Sequence, residues 1–180
     1  MKTKSDWMKF HRRSIRLKEY DYSQQGAYFV TMVTFQRDCL FGQITNEEMK
    51  LNEFGRIVEE CWCVISEHFP NVELGTYVIM PNHVHGIIVI HDNERRGTTY
   101  RAPTNEKFQK PVIGSIPTII RTFKAVVTRE IRHKFNATDV WQRNYYEHVI
   151  RNEKEWDRIH RYIESNPAHW ESDNENPLNL

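Results

Sequence analysis

The stretch Met80-Pro81-Asn82-His83-Val84-His85-Gly86-Ile87-Ile88-Val89-Ile90 constrains the fold more than any other part of the chain. Its second half is a short β-branched apolar run behind a Pro-Asn turn signal, and it reads as a buried strand. Side chains in a strand alternate faces, so His83 and His85 point the same way with Cα atoms about 6.6 Å apart, twice the rise per residue. Two imidazoles so placed can converge on one ion, or can face solvent from a half-buried strand. The spacing leaves both readings open.

Neighbouring segments supply partners for that strand. Leu74 to Met80 reads as a strand, so the Pro81-Asn82 turn makes a hairpin. Ala27 to Phe35 reads as another, with Phe29, Val33 and Phe35 on one face and Tyr28, Val30 and Met32 on the other. Apolar side chains on both faces mark a central strand covered on both sides. Val140 to Ile150, dense in aromatic and charged residues, contains a short strand returning to the sheet.

Helical spacing fills the intervals. Thr45-Asn46-Glu47-Glu48 has the form of a capping box, and Leu51, Phe54, Ile57, Val58, Cys61, Ile65 and Phe69 follow at helical spacing until Pro70. Ser115 stands before a second helix with an apolar stripe of Ile116, Ile119, Ile120, Phe123, Val127 and Ile131. Arg121, Lys124, Arg129 and Arg132 lie largely off that stripe, a basic face that is either solvated or suited to a phosphate backbone. Asn152-Glu153-Lys154-Glu155 is another capping-box pattern, and Trp156, Ile159 and Ile163 give the last helix its buried side. Pro167 is expected to end it, since the residue before proline is biased away from helical angles.

Three segments lack such patterning. Residues 1–25 form a basic arm, with Arg12, Arg13 and Arg16, that can neutralise phosphates or stay solvated. Residues 92–113 form a polar loop of a length that is commonly functional or disordered. Residues 171–180 form an acidic tail, leaving 26–170 as one domain. The formal net charge is only +1, so any nucleic-acid reading rests on local distribution. Three cysteines, an odd number without four-ligand zinc spacing, fit a reducing compartment. With neither a signal peptide nor a run long enough to span a bilayer, a cytoplasmic protein without membrane contact is expected.

Tyr162 and Asn166, four residues apart on the last helix, stack on one face about 6 Å apart along the axis. Tyr162 lies about 100° round the helix from Ile163, at the edge of the core with its phenol free to enter a cleft. Asn166 offers a carbonyl oxygen as a hard ligand. Tyr145 and Tyr146 are rival nucleophiles, ranked lower because Val149 and Ile150 occupy the positions four residues onward.

Together Met80–His85, the segment Trp141-Gln142-Arg143-Asn144-Tyr145-Tyr146-Glu147-His148-Val149-Ile150-Arg151, and Arg161-Tyr162-Ile163-Glu164-Ser165-Asn166-Pro167 resemble the REP-associated tyrosine transposases. These belong to the HUH single-tyrosine transposases, and the resemblance runs from about Tyr28 to Trp170. It implies an α+β fold, a ferredoxin-like antiparallel sheet with helices packed on one face, of the HUH endonuclease/transposase type. It implies a metal-dependent single-stranded DNA endonuclease and strand transferase, cutting beside hairpins through a 5′-phosphotyrosine. By the same resemblance His83, His85 and Asn166 hold a divalent ion, magnesium or manganese, and Tyr162 is the nucleophile. The implied partner is single-stranded DNA with a REP-like palindromic hairpin, bound by a monomer or a homodimer. Arg12, Arg13, Arg16, Arg121, Lys124, Arg143, Tyr145 and Tyr146 are the candidate DNA contacts. The alternative is a domesticated relative that binds hairpins or repeats without cutting.

Overall fold

The computed structural model describes residues 20–92, 112–137 and 139–179. The basic-arm residues Arg12, Arg13 and Arg16 and most of the polar loop lie outside them. A four-stranded antiparallel sheet in the order β4-β5-β1-β6 organises the rest, built from β1 (Gly26–Val33), β4 (Val72–Ile79), β5 (His83–Ile90) and β6 (Tyr146–Ile150). The histidine strand β5 is central, as its apolar run requires. Its register with β1 pairs Val33 with His83, Thr31 with His85 and Phe29 with Ile87.

Strand alternation gives β5 and β1 two different sides. Val84, Ile88 and Ile90 join Tyr28, Val30 and Met32 in the main core, together with Ile57, Val58 and Trp62 of α1 (Glu53–Cys63). The same core takes in Ile116, Ile119, Ile120, Phe123, Val127 and Ile131 of α3 (Ile116–Phe135), the stripe read from the sequence. Gly86 faces this core because nothing larger fits: a Cβ there would lie 2.3 Å from the Trp62 ring. On the opposite side, Phe29 and Ile87 pack with Ile159 and Ile163 of α4 (Glu153–Ser165). The α+β antiparallel architecture is the expected one, but the helices, expected on one face, are divided between both.

The capping-box reading of Thr45–Glu48 is corrected. Thr45 ends β2 (Gly42–Thr45) and Glu48 begins β3 (Glu48–Leu51), so the four residues form a hairpin. Asn46 and Glu47 have φ of 53° and 62°, the left-handed pair that a two-residue hairpin turn uses. A Thr-x-x-Glu spacing fits both motifs, and pairing of the flanking strands wins. The helix begins later, at Glu53, where the Asn52 side chain accepts a hydrogen bond from the Gly55 N–H. A short helix α2 (Ile65–His68) follows, and Leu51 belongs to β3 rather than to α1.

At the second capping box the Asn152 side chain accepts from the Glu155 N–H, and the Glu155 carboxylate accepts from the Arg151 N–H. Pro167 does not turn the chain away. Asn166 keeps helical angles (φ −59°, ψ −40°), and Pro167–Ser172 continues as a 3-10 helix that folds the following residues back toward β5. Among the described residues no helix is long and apolar enough to cross a membrane.

Candidate active site

The two histidines sit at the start of β5 on the α4 side, both buried. Each is held through Nδ1. Asn82 donates both amide hydrogens, to the carbonyls of Arg37 (3.0 Å) and Glu175 (2.7 Å). Its Oδ1, 2.9 Å from His83 Nδ1, therefore acts as an acceptor. That makes His83 Nδ1 the protonated nitrogen and leaves Nε2 with its lone pair. His85 Nδ1 meets the Thr31 hydroxyl at 2.8 Å across the β1–β5 ladder.

Helix α4 is anchored by its apolar side and so presents Tyr162 to these rings. The phenol packs edge-on against Phe29, and its hydroxyl lies 3.1 Å from His85 Nε2. One turn later Asn166, 2% exposed, donates from Nδ2 to an Asp173 carboxylate oxygen at 3.2 Å. Its Oδ1 remains without a donor, as does His83 Nε2. Ligand atoms of His83, His85 and Asp173 lie within 4.8 Å of one another. Buried lone pairs that meet no donor, beside a carboxylate, are unfavourable unless a positive charge satisfies them. The chemistry of this set therefore fits a divalent cation. Oriented Nδ1 partners are also what metal-binding imidazoles require.

The electrostatics agree. Burial pushes His83 down to about 4, opposed by the Asp173 carboxylate and by the Asn166 oxygen that a protonated ring would meet. Burial and the neighbouring His83 push His85 well below its ordinary value. Both imidazoles are neutral at pH 7 and available as ligands. Burial and the Asp173 carboxylate push the Tyr162 phenol up, with the Asn166 amide opposing. Without a nearby cation this phenol stays protonated.

A cavity of about 580 Å³ opens over the cluster, lined among others by Thr31, His85, Tyr146, Tyr162, Asn166 and Asp173. Of the sequence-derived candidates, His83, His85, Tyr162 and Asn166 come together in one chain. Tyr146 reaches the same cavity, whereas Tyr145 turns to the opposite face and packs against the main core. Lys124 points to the carbonyls of Gln142 (2.9 Å) and Asn144 (2.8 Å), and burial lowers it to about 8. It ties α3 to the β6 approach. Arg121 and Arg143 are exposed and do not line this cavity. Three residues were not foreseen. Asn82 reads as a turn residue, although its place beside His83 hinted at more. Thr31 follows from strand register, and Asp173 sits in a segment with no pattern.

No family model matches the chain. An uncharacterized protein of Haemophilus influenzae is 46% identical over 165 residues, covering 91% of this chain and 92% of its own length. A second H. influenzae protein, described as "Putative REP-associated tyrosine transposase", is 26% identical over 148 residues, 82% of this chain and 73% of that one. In three dimensions the chain superposes on a REP-associated tyrosine transposase bound to a REP hairpin with a TM-score of 0.55 at 19% identity. The match covers 85% of this chain and 72% of the other. The chain is thus similar to REP-associated tyrosine transposases in sequence over most of its length and in fold.

Proposed function

We propose that this chain, a relative of the REP-associated tyrosine transposases, is a metal-dependent single-stranded DNA endonuclease and strand transferase. It acts beside DNA hairpins, with Tyr162 as nucleophile. The observation that carries the reading is the meeting of Tyr162 with the His83–His85–Asn166 cluster, the hydroxyl 3.1 Å from His85 Nε2. A hairpin-bound relative in the same fold makes hairpin DNA the substrate to test.

His83, His85 and Asn166, with Asp173 beside them, would hold magnesium or manganese. Such an ion, when bound, polarises the scissile phosphate and offsets charge building at phosphorus. The chain's own groups supply the geometry. Asn82 and Thr31 fix the imidazoles through Nδ1, and Asp173 fixes the Asn166 amide so that its oxygen faces the cluster. Phe29 holds the Tyr162 ring edge-on, which sets the approach of the phenol oxygen. That oxygen bonds to phosphorus as the bond to the 3′ oxygen breaks. The phenol loses its proton and the 3′ oxygen gains one, leaving a 5′-phosphotyrosine and a free 3′-hydroxyl. The covalent link retains the strand for rejoining. Tyr162 reaches the cluster of its own chain, which supports a tyrosine acting in cis.

The test is a fluorescent hairpin with a single-stranded flank, incubated with protein and manganese. The expected product is a covalent protein–DNA adduct whose mapped peptide carries the DNA on Tyr162. A shifted but uncut hairpin would favour the non-catalytic hairpin-binding alternative, and an adduct on another tyrosine would overturn the assignment.

A further inference from the structure

A second groove of about 300 Å³ runs beside the Tyr162 cleft, lined by Phe29, Tyr146, His148, Arg158, Ile159 and Tyr162. We propose that it is a subsite for one unstacked nucleotide of single-stranded DNA, its base against Tyr146 and its phosphate at Arg158. This rests on the catalytic reading for its place beside the scissile phosphate.

Sheet register fixes the distance. Tyr146 pairs with Thr31, which pairs with His85, so the three stand on one cross-strand row. Two strand spacings, about 10 Å, separate the backbone of Tyr146 from that of His85. In the next row His148 pairs with Phe29. Phe29 is therefore the floor shared by the groove and the cleft, with its ring 6.3 Å from Tyr146 and 6.1 Å from Tyr162. A base entering the groove presses on the same Phe29 that aligns the nucleophile.

The groove's chemistry suits a nucleotide. Tyr146 is 44% exposed on an apolar-floored surface, whereas its neighbour Tyr145 supplies the core packing. An exposed ring beside a cation is the combination on which unpaired bases stack. Arg158 is the cation, with its side chain 72% exposed. Glu155 steadies it at 3.6 Å but is already engaged by His148 at 2.7 Å and by the Arg151 N–H at 2.9 Å. Most of the guanidinium's donors thus remain for a phosphate. A groove of about 300 Å³ is of a size to hold one planar group.

Binding of a labelled single-stranded oligothymidylate is measured without divalent metal, so that it does not depend on cleavage. Tyr146→Ala is expected to weaken it about tenfold, in the range for losing one stacked base, while Tyr146→Phe binds as wild type. Arg158→Ala is expected to lower the salt dependence by about one phosphate contact. An oligomer with one 5-iododeoxyuridine should photocrosslink to the peptide holding Tyr146 or Phe29. Equal affinities of wild type and Tyr146→Ala, or crosslinks confined to other peptides, overturn the subsite even where the Tyr162 adduct forms. Groove crosslinking with no Tyr162 adduct in the manganese assay instead overturns the catalytic reading and leaves the groove a single-stranded DNA site.

Discussion

The two faces of the central sheet are built from alternate residues of the same strands, yet they do opposite work. One is dry, with Trp62 laid on Gly86 and the α3 stripe closing it. The other carries the small apolar patch of Phe29, Ile87, Ile159 and Ile163. Beyond that patch it gives way to buried polar residues, His83, His85 and Asn166. Packing is spent on one side so that the other can hold groups that cost stability.

If that division holds, Tyr162→Phe has the largest effect on chemistry and almost none on folding. Adduct formation should disappear while the urea midpoint stays within the range of an ordinary surface change. A variant that still forms the adduct would break the comparison on the cleft side. Trp62→Ala should do the reverse, lowering stability by about 3–5 kcal/mol while the molecules that remain folded still bind manganese. Unaltered unfolding would show that the dry face is not the one that holds the fold together.

Asp173→Ala sharpens the boundary. It releases the Asn166 amide and removes a carboxylate from the cluster, so manganese affinity by calorimetry should fall about 10- to 100-fold. Wild-type affinity would separate Asp173 from the site. The most gradual effect is on pH. Burial depresses His83 and His85 below the ordinary imidazole value of about 6.5, to about 4 for His83. The unfolded chain then binds more protons in that window, so stability is full above about pH 6.5 and declines as pH falls toward 4. Replacing both histidines with glutamine should flatten the slope measured with a chelator present. An unchanged slope would place the titrating groups elsewhere.

Legibility from sequence followed the range of the interactions. The histidine strand, the α3 stripe and the Tyr162–Asn166 pair are local periodicities, and each kept its place. Thr45–Glu48 failed because its spacing serves two motifs, and the choice depends on whether Gly42–Thr45 finds a strand partner. Pro167 biased Asn166 against helical angles, but the 3-10 turn and the Asn166–Asp173 hydrogen bond override it. Asp173 and the second role of Asn82 were hidden because both come from one long-range closure, in which Asn82 spans the carbonyls of Arg37 and Glu175. No spacing within a segment reports a contact across 93 residues.

The alternation along β5 also limits how this segment can diverge over generations. Substitutions act on one face at a time, so each position can drift under its own constraint. A one-residue slip of β5 against β1 would exchange the faces, sending the imidazoles into the Trp62 layer and Val84 and Ile88 into the cleft. Residue identity along the strand can change one face at a time, but its register cannot.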